Sequence, residues 1–121
     1  MLNIEFDISD LMRGLHVLES RLPAVKAQIA LTMAKEAFRI SGEQVPHDIG
    51  TLQASGKVEP EPDGAAIMGY HTVYAARLHE HPEYNFQKGR KAKFVEDPAK
   101  EVAGRAERIV TSVVQQQLGI R

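Results

Sequence analysis

Apolar and acidic residues alternate at the start of the chain, where Ile4, Phe6 and Ile8 flank Glu5 and Asp7. A period of two predicts a short half-buried strand, or an extended arm over residues 1–8. Ser9 or Asp10 can cap a following helix by accepting a backbone N–H bond. Leu11, Leu15, Leu18 and Leu22 then recur at helical spacing and form one apolar stripe, weakened at Gly14. Pro23 ends or kinks that helix and suits the first turn of the next, expected over residues 23–41. Its apolar positions are Val25, Ile29, Met33, Ala37 and Phe38, with Ala30 and Ala34 forming a flat strip alongside. Gly42 is the expected C-terminal cap, since glycine adopts the left-handed conformation without penalty.

The pattern changes in the middle. Residues 45–50 carry proline, aspartate and glycine and read as a tight turn, with a single helical turn over 51–55. Residues 57–61 and 65–70 read as two strands joined at Pro62-Asp63-Gly64, a hairpin signal. Pro60 and Pro62 place the first strand at a sheet edge, because proline cannot donate to a ladder. A short helix is expected over 74–80 and an exposed loop over 81–91, which contains Pro82 and Gly89. At the end, Asp97 can cap a helix whose first position suits Pro98, and Glu101 favours the positive helix end. Val102, Ala106, Ile109, Val113 and Leu118 continue the helical spacing until Gly119. The expected fold is α+β and a single domain over 1–121. An N-terminal helical pair and a long C-terminal helix pack on a small antiparallel sheet.

Composition narrows the function. Hydrophobic residues are 43% and charged residues 26% of the 121, which argues against wholesale disorder. The formal net charge is −1, whereas a duplex-DNA reader held by phosphate contacts is usually basic. The absence of cysteine excludes disulfides, thiolate metal sites and a cysteine nucleophile. The acidic first ten residues do not read as a signal peptide, and no stretch has the run of apolar residues a membrane span needs. The expectation is a soluble protein made in the cytoplasm, without a membrane partner.

Chemistry-bearing residues are sparse. His79 and His81, near Glu80 and Glu83, are weak metal candidates. They stand two apart and would point to different sides of a helix, and the zinc-protease pairing of histidines four apart is missing. The cations Lys88, Arg90, Lys91 and Lys93 beside Gly89 could meet phosphates lining a lumen, or simply be solvated. Tyr84 and Phe86 nearby could stack on single-stranded bases. No nucleophile, base and orienting group can be proposed together, and no glycine-rich phosphate loop is present, so neither an enzyme nor a cofactor is expected. Apolar surface left over for another subunit is expected at Ile4 and Phe6, at the Ala30/Ala34 strip, and at Tyr84 and Phe86.

Three short motifs follow one another: Pro46-His47-Asp48-Ile49-Gly50-Thr51-Leu52-Gln53-Ala54-Ser55, then Tyr74-Ala75-Ala76-Arg77-Leu78-His79-Glu80, then Phe94-Val95-Glu96-Asp97-Pro98-Ala99 before the closing helix. This order resembles the neck or tail-completion proteins of tailed bacteriophages, also called head–tail connector or minor capsid proteins. That family shows Pro-x-Asp-Thr-Gly-x-Leu-x-x-Ser, then Tyr-Ala, then Phe-Leu-x-Pro-Ala. Ile49 and Gln53 stand where the family has threonine and arginine. The residues carried over are Pro46, Asp48, Gly50, Leu52, Ser55, Tyr74, Ala75, Glu80, Phe94, Pro98 and Ala99. Pro46 would end the preceding helix and Gly50 would permit a tight turn. Tyr74 and Phe94 would each bury apolar area, about 1.5–3 kcal/mol. The resemblance implies a structural virion component, assembled in the host cytoplasm as a homo-oligomeric ring at the neck. A hexamer is favoured over a dodecamer. The implied partners are portal or adaptor proteins, tail terminator or tail tube proteins, and genomic DNA passing without sequence specificity. The alternatives are a small nucleic-acid-binding module using residues 88–93 and a metal-dependent enzyme centred on His79 and His81.

Overall fold

The structure, a computed structural model, describes residues 2–8, 22–46, 51–71, 73–83 and 90–118. Helices pack on a three-stranded antiparallel sheet of order β1-β3-β2, an α+β arrangement. The strands are β1 (Leu2–Phe6), β2 (Lys57–Glu61) and β3 (Ala65–Tyr70). The helices are α1 (Leu22–Gln44), α2 (Thr51–Ala54), α3 (Val73–Glu80), α4 (Glu96–Ala103) and α5 (Ala106–Leu118). The helix expected over residues 11–22 falls outside the described residues except at Leu22. So do Asp48, Gly50, Tyr84, Phe86 and Lys88.

The sheet follows from alternation. Residues 2–6 pair with β3 along their whole length, Leu2 opposite Tyr70 and Phe6 opposite Ala66, so they are an edge strand and not a free arm. Leu2, Ile4 and Phe6 share a face with Ala66, Met68 and Tyr70, and Val58 joins them opposite Met68. Asn3, Glu5, Lys57, Glu59, Glu61 and Ile67 take the other face. The β2–β3 turn places Asp63 and Gly64 at φ 63° and 78°. Positive φ at both central residues is what a type I′ hairpin turn requires, and Asp-Gly supplies it cheaply. Pro60 lies on β2, an edge strand, where its missing N–H costs no central ladder bond.

α1 is the central helix and packs against the strands as well as against α4 and α5. Val25, Ile29, Ala30, Met33, Ala34, Ala37 and Ile40 are all buried. Ala30 and Ala34 are therefore not a strip left for a second subunit. Their small side chains let other elements of the same chain approach α1 closely, and both are 0% exposed. Phe6 is corrected in the same way, its ring joining this core, while Ile4 is half-buried against it.

The helix ends also differ from expectation. α1 runs through Gly42 to Gln44, so Gly42 is not the cap. Asp97 does not cap α4. The helix begins at Glu96, the preceding Val95 provides no side-chain cap, and the Asp97 carboxylate pairs with Lys91 Nζ. The closing helical run breaks at Gly104 and Arg105 into α4 and α5, with the Arg105 amide donating three residues back to Val102 O at 2.9 Å.

Candidate functional site

The three motifs meet in space. Phe94, from the third, is 0% exposed and stacks edge-on against Tyr70, ring centres 5.5 Å apart. On its other side lies the His79 ring, from the second motif, at 5.4 Å and 80°. Tyr70 continues the row to Phe38 of α1 at 5.8 Å. The edge-on Phe94–Tyr70 pair adds about 0.5–1.5 kcal/mol beyond area burial, while Phe38 meets Tyr70 at a tilt. The Tyr70 hydroxyl lies 2.8 Å from Ser41 Oγ, which satisfies two buried groups at once. Burial pushes the Tyr70 phenol up from its ordinary range, and the Ser41 hydrogen bond opposes this in part.

The first motif closes the same core. Pro46 and Leu52 are buried. Ser55 Oγ donates to Leu52 O at 2.7 Å and accepts the His71 amide at 3.1 Å, tying the α2 turn to the end of β3. Ala75, Pro98 and Ala99 are buried. The α3 backbone includes Tyr74.

His79 is a structural clamp. It is 4% exposed. Its Nε2 accepts the backbone N–H of Glu96 at 3.1 Å, which requires a lone pair there and places the proton on Nδ1. Nδ1 then donates to Glu80 Oε1 at 2.8 Å. Both ring nitrogens are thus engaged, and the weak metal candidacy of His79 is corrected: no lone pair faces a vacant position. His81 Nδ1 contacts Glu83 Oε1 at 2.7 Å, separately from His79. Among the described residues no group of three or more His, Cys, Asp or Glu side chains could hold a metal ion.

The described cations of the basic run are tied to the protein itself. Arg90 Nη1 donates to Gly42 O at 2.8 Å and Val45 O at 3.4 Å, and the Lys91 amide donates to Gln44 O at 3.0 Å. Together they cap the C-terminal carbonyls of α1, where a cation also suits the helix dipole. Lys91 pairs with Asp97, and Lys93 reaches Glu80 at 2.7 Å and Glu96 at 3.6 Å. The hydrogen bond from Lys93, then that from His79, holds the Glu80 carboxyl below the usual carboxylate range. Lys93 adopts φ 58°, left-handed for a residue with a side chain. That strain is held by its amide bond to His79 O and by its carbonyl, which accepts the Asp97 amide, both at 2.9 Å.

Two surface features among the described residues have no local signature in the sequence. One is the outward face of the sheet, where Ile67 lies between Glu5 and Glu59. The other is a groove of about 540 Å³ between α1 and α5, lined by Lys35, Arg39, Arg105 and Arg108 with Glu36 among them. No described helix is long and apolar enough to cross a membrane. No protein-family model, curated protein or solved structure matches the chain.

Proposed function

We propose that this chain is a structural, non-enzymatic subunit of a tailed-phage virion, forming a homo-oligomeric ring, hexamer favoured, at the head–tail junction through which DNA passes. The observation that carries this reading is the convergence of the three motifs into one core. Phe94, Leu52 and Ala75 share one buried cluster and Pro98 is buried, while His79 binds the Glu80 carboxylate and the Glu96 backbone N–H. Residues that carry the resemblance therefore fix a shape. An active site would instead aim such groups at a cavity. Of the basic run, Arg90 is engaged by carbonyls at the end of α1, whereas Lys91 and Lys93 form exposed ion pairs with Asp97 and Glu80.

The test is electron microscopy of virions carrying an epitope-tagged copy of the chain. The expected result is label confined to the neck, with a ring of density into which this fold fits. Purified infectious particles lacking the chain, or label on the capsid faces or tail tip, would overturn the proposal.

A further inference from the structure

Among the described residues, the outward sheet face is mostly acidic and the α1–α5 groove mostly basic. On the outward sheet face Glu5 and Glu59 flank Ile67 on the neighbouring strands, and Glu61 stands opposite Ala65. Lys57 is the cation on this face and pairs with Glu59 at 3.2 Å. Glu5 and Glu61 carry no ion pair among the described residues. Glu5 and Glu59 are exposed and Ile67 is half-buried.

The groove is the counterpart. It is built on α1 and α5, whereas the outward sheet face points away from α1. Lys35, Arg39, Arg105 and Arg108 are exposed around a half-buried Ile109. Arg39 is shared by Glu36 at 2.6 Å and Glu43 at 3.1 Å. Arg105 bridges Glu101 at 2.7 Å and Glu36 at 3.5 Å. Lys35 and Arg108 have no ion pair among the described residues. Each surface thus offers an aliphatic centre and, among the described residues, unpaired charges of one sign.

We propose that copies of this chain join head to tail, the outward sheet face of one seating in the α1–α5 groove of the next. Unlike surfaces pair better than like ones: sheet face on sheet face sets mostly carboxylates against carboxylates, and groove on groove sets mostly cations against cations. Joining unlike patches is a heterologous contact, which closes into a ring where the rotation permits. Exposed ion pairs contribute little affinity each, so the charges set orientation and the Ile67 and Ile109 centres exclude water. The inference deepens the ring reading and rests on it for biological setting, though not for its test.

The chain has no cysteine, so engineered ones report contacts unambiguously. Ile67→Cys and Ile109→Cys leave every charge in place. Under mild oxidation of the full-length chain, the double variant is expected to give a ladder of covalent oligomers. The two single variants mixed are expected to give a heterodimer in excess of either homodimer. Glu5→Lys with Glu61→Lys in the double-cysteine background should abolish the ladder, and adding Lys35→Glu with Arg108→Glu should restore it, which a folding defect would not do. High salt should weaken it, because the Debye length shrinks from about 10 Å at 0.1 M to about 3 Å at 1 M. No ladder, homodimers as abundant as heterodimers, or a ladder indifferent to charge reversal would each overturn the contact. Neck label without a ladder would reject this interface and keep the virion reading. A ladder without neck label would do the reverse.

Discussion

A Cβ added at Gly56 would lie 2.6 Å from Phe38 Cε1 and 2.9 Å from Tyr70 Cε1. Those rings belong to the row that runs through Phe94 to His79, so they cannot both yield without disturbing the core. Gly56→Ala is therefore expected to destabilise the fold by about 1–3 kcal/mol, the usual cost of overpacking a filled site. Urea denaturation monitored by tyrosine fluorescence measures it directly. An unchanged midpoint would mean that the rings shift freely. The contrast with Gly64 is instructive: there the glycine answers a φ of 78°, while at Gly56 what matters is the space a ring occupies.

At the scale of the element, helix ends separate what local sequence reveals from what it hides. The hairpin over 57–70 is legible because alternation and the Asp-Gly turn act within a few residues. The span of α1 is legible from its apolar repeat. Its end is not, because the capping group is Arg90, 48 residues beyond Gly42. The start of α4 is likewise closed from elsewhere, by His79 Nε2, where the sequence offers Asp97 as the nearer cap. The break at Gly104 and Arg105 is hidden for another reason: Val102, Ala106, Ile109 and Val113 keep helical spacing across it. At the candidate surface, the basic run is visible in sequence, but its internal partners are contributed by α1, α3 and α4. Capping at a distance has a measurable consequence. Arg90→Ala should cost about 1–2 kcal/mol, because carbonyls at the end of α1 lose a charged donor. Hydrogen exchange should quicken in the last turn of α1 before the rest of that helix. If Arg90 were only a solvated loop cation, both stability and exchange would stay as they are.

For the whole molecule, ion pairs join segments that the core leaves at its margins, and their pH dependence has a definite sign. Glu36 of α1 is held by Arg39 on its own helix and by Arg105, the residue between α4 and α5. The Arg39 hydrogen bond, with the charges of Arg39 and Arg105, keeps the Glu36 carboxyl below its ordinary value of 4.5 despite some desolvation. The unfolded chain then takes up this proton at a higher pH than the folded chain. The contribution is fully present above pH 4.5 and is lost as pH falls through the depressed folded value. Glu80, which ties α3 to Lys93, follows the same direction. Both carboxylates touch solvent, so the effect is modest and screened by salt. The test compares the parent chain with Glu36→Gln, which keeps the size but not the charge. The parent should be the more stable above pH 4.5, and the gap should close as the pH falls through the depressed folded value of the Glu36 carboxyl. A gap that stays constant across that range would assign Glu36 a packing role and leave α5 attached to α1 by its apolar stripe alone.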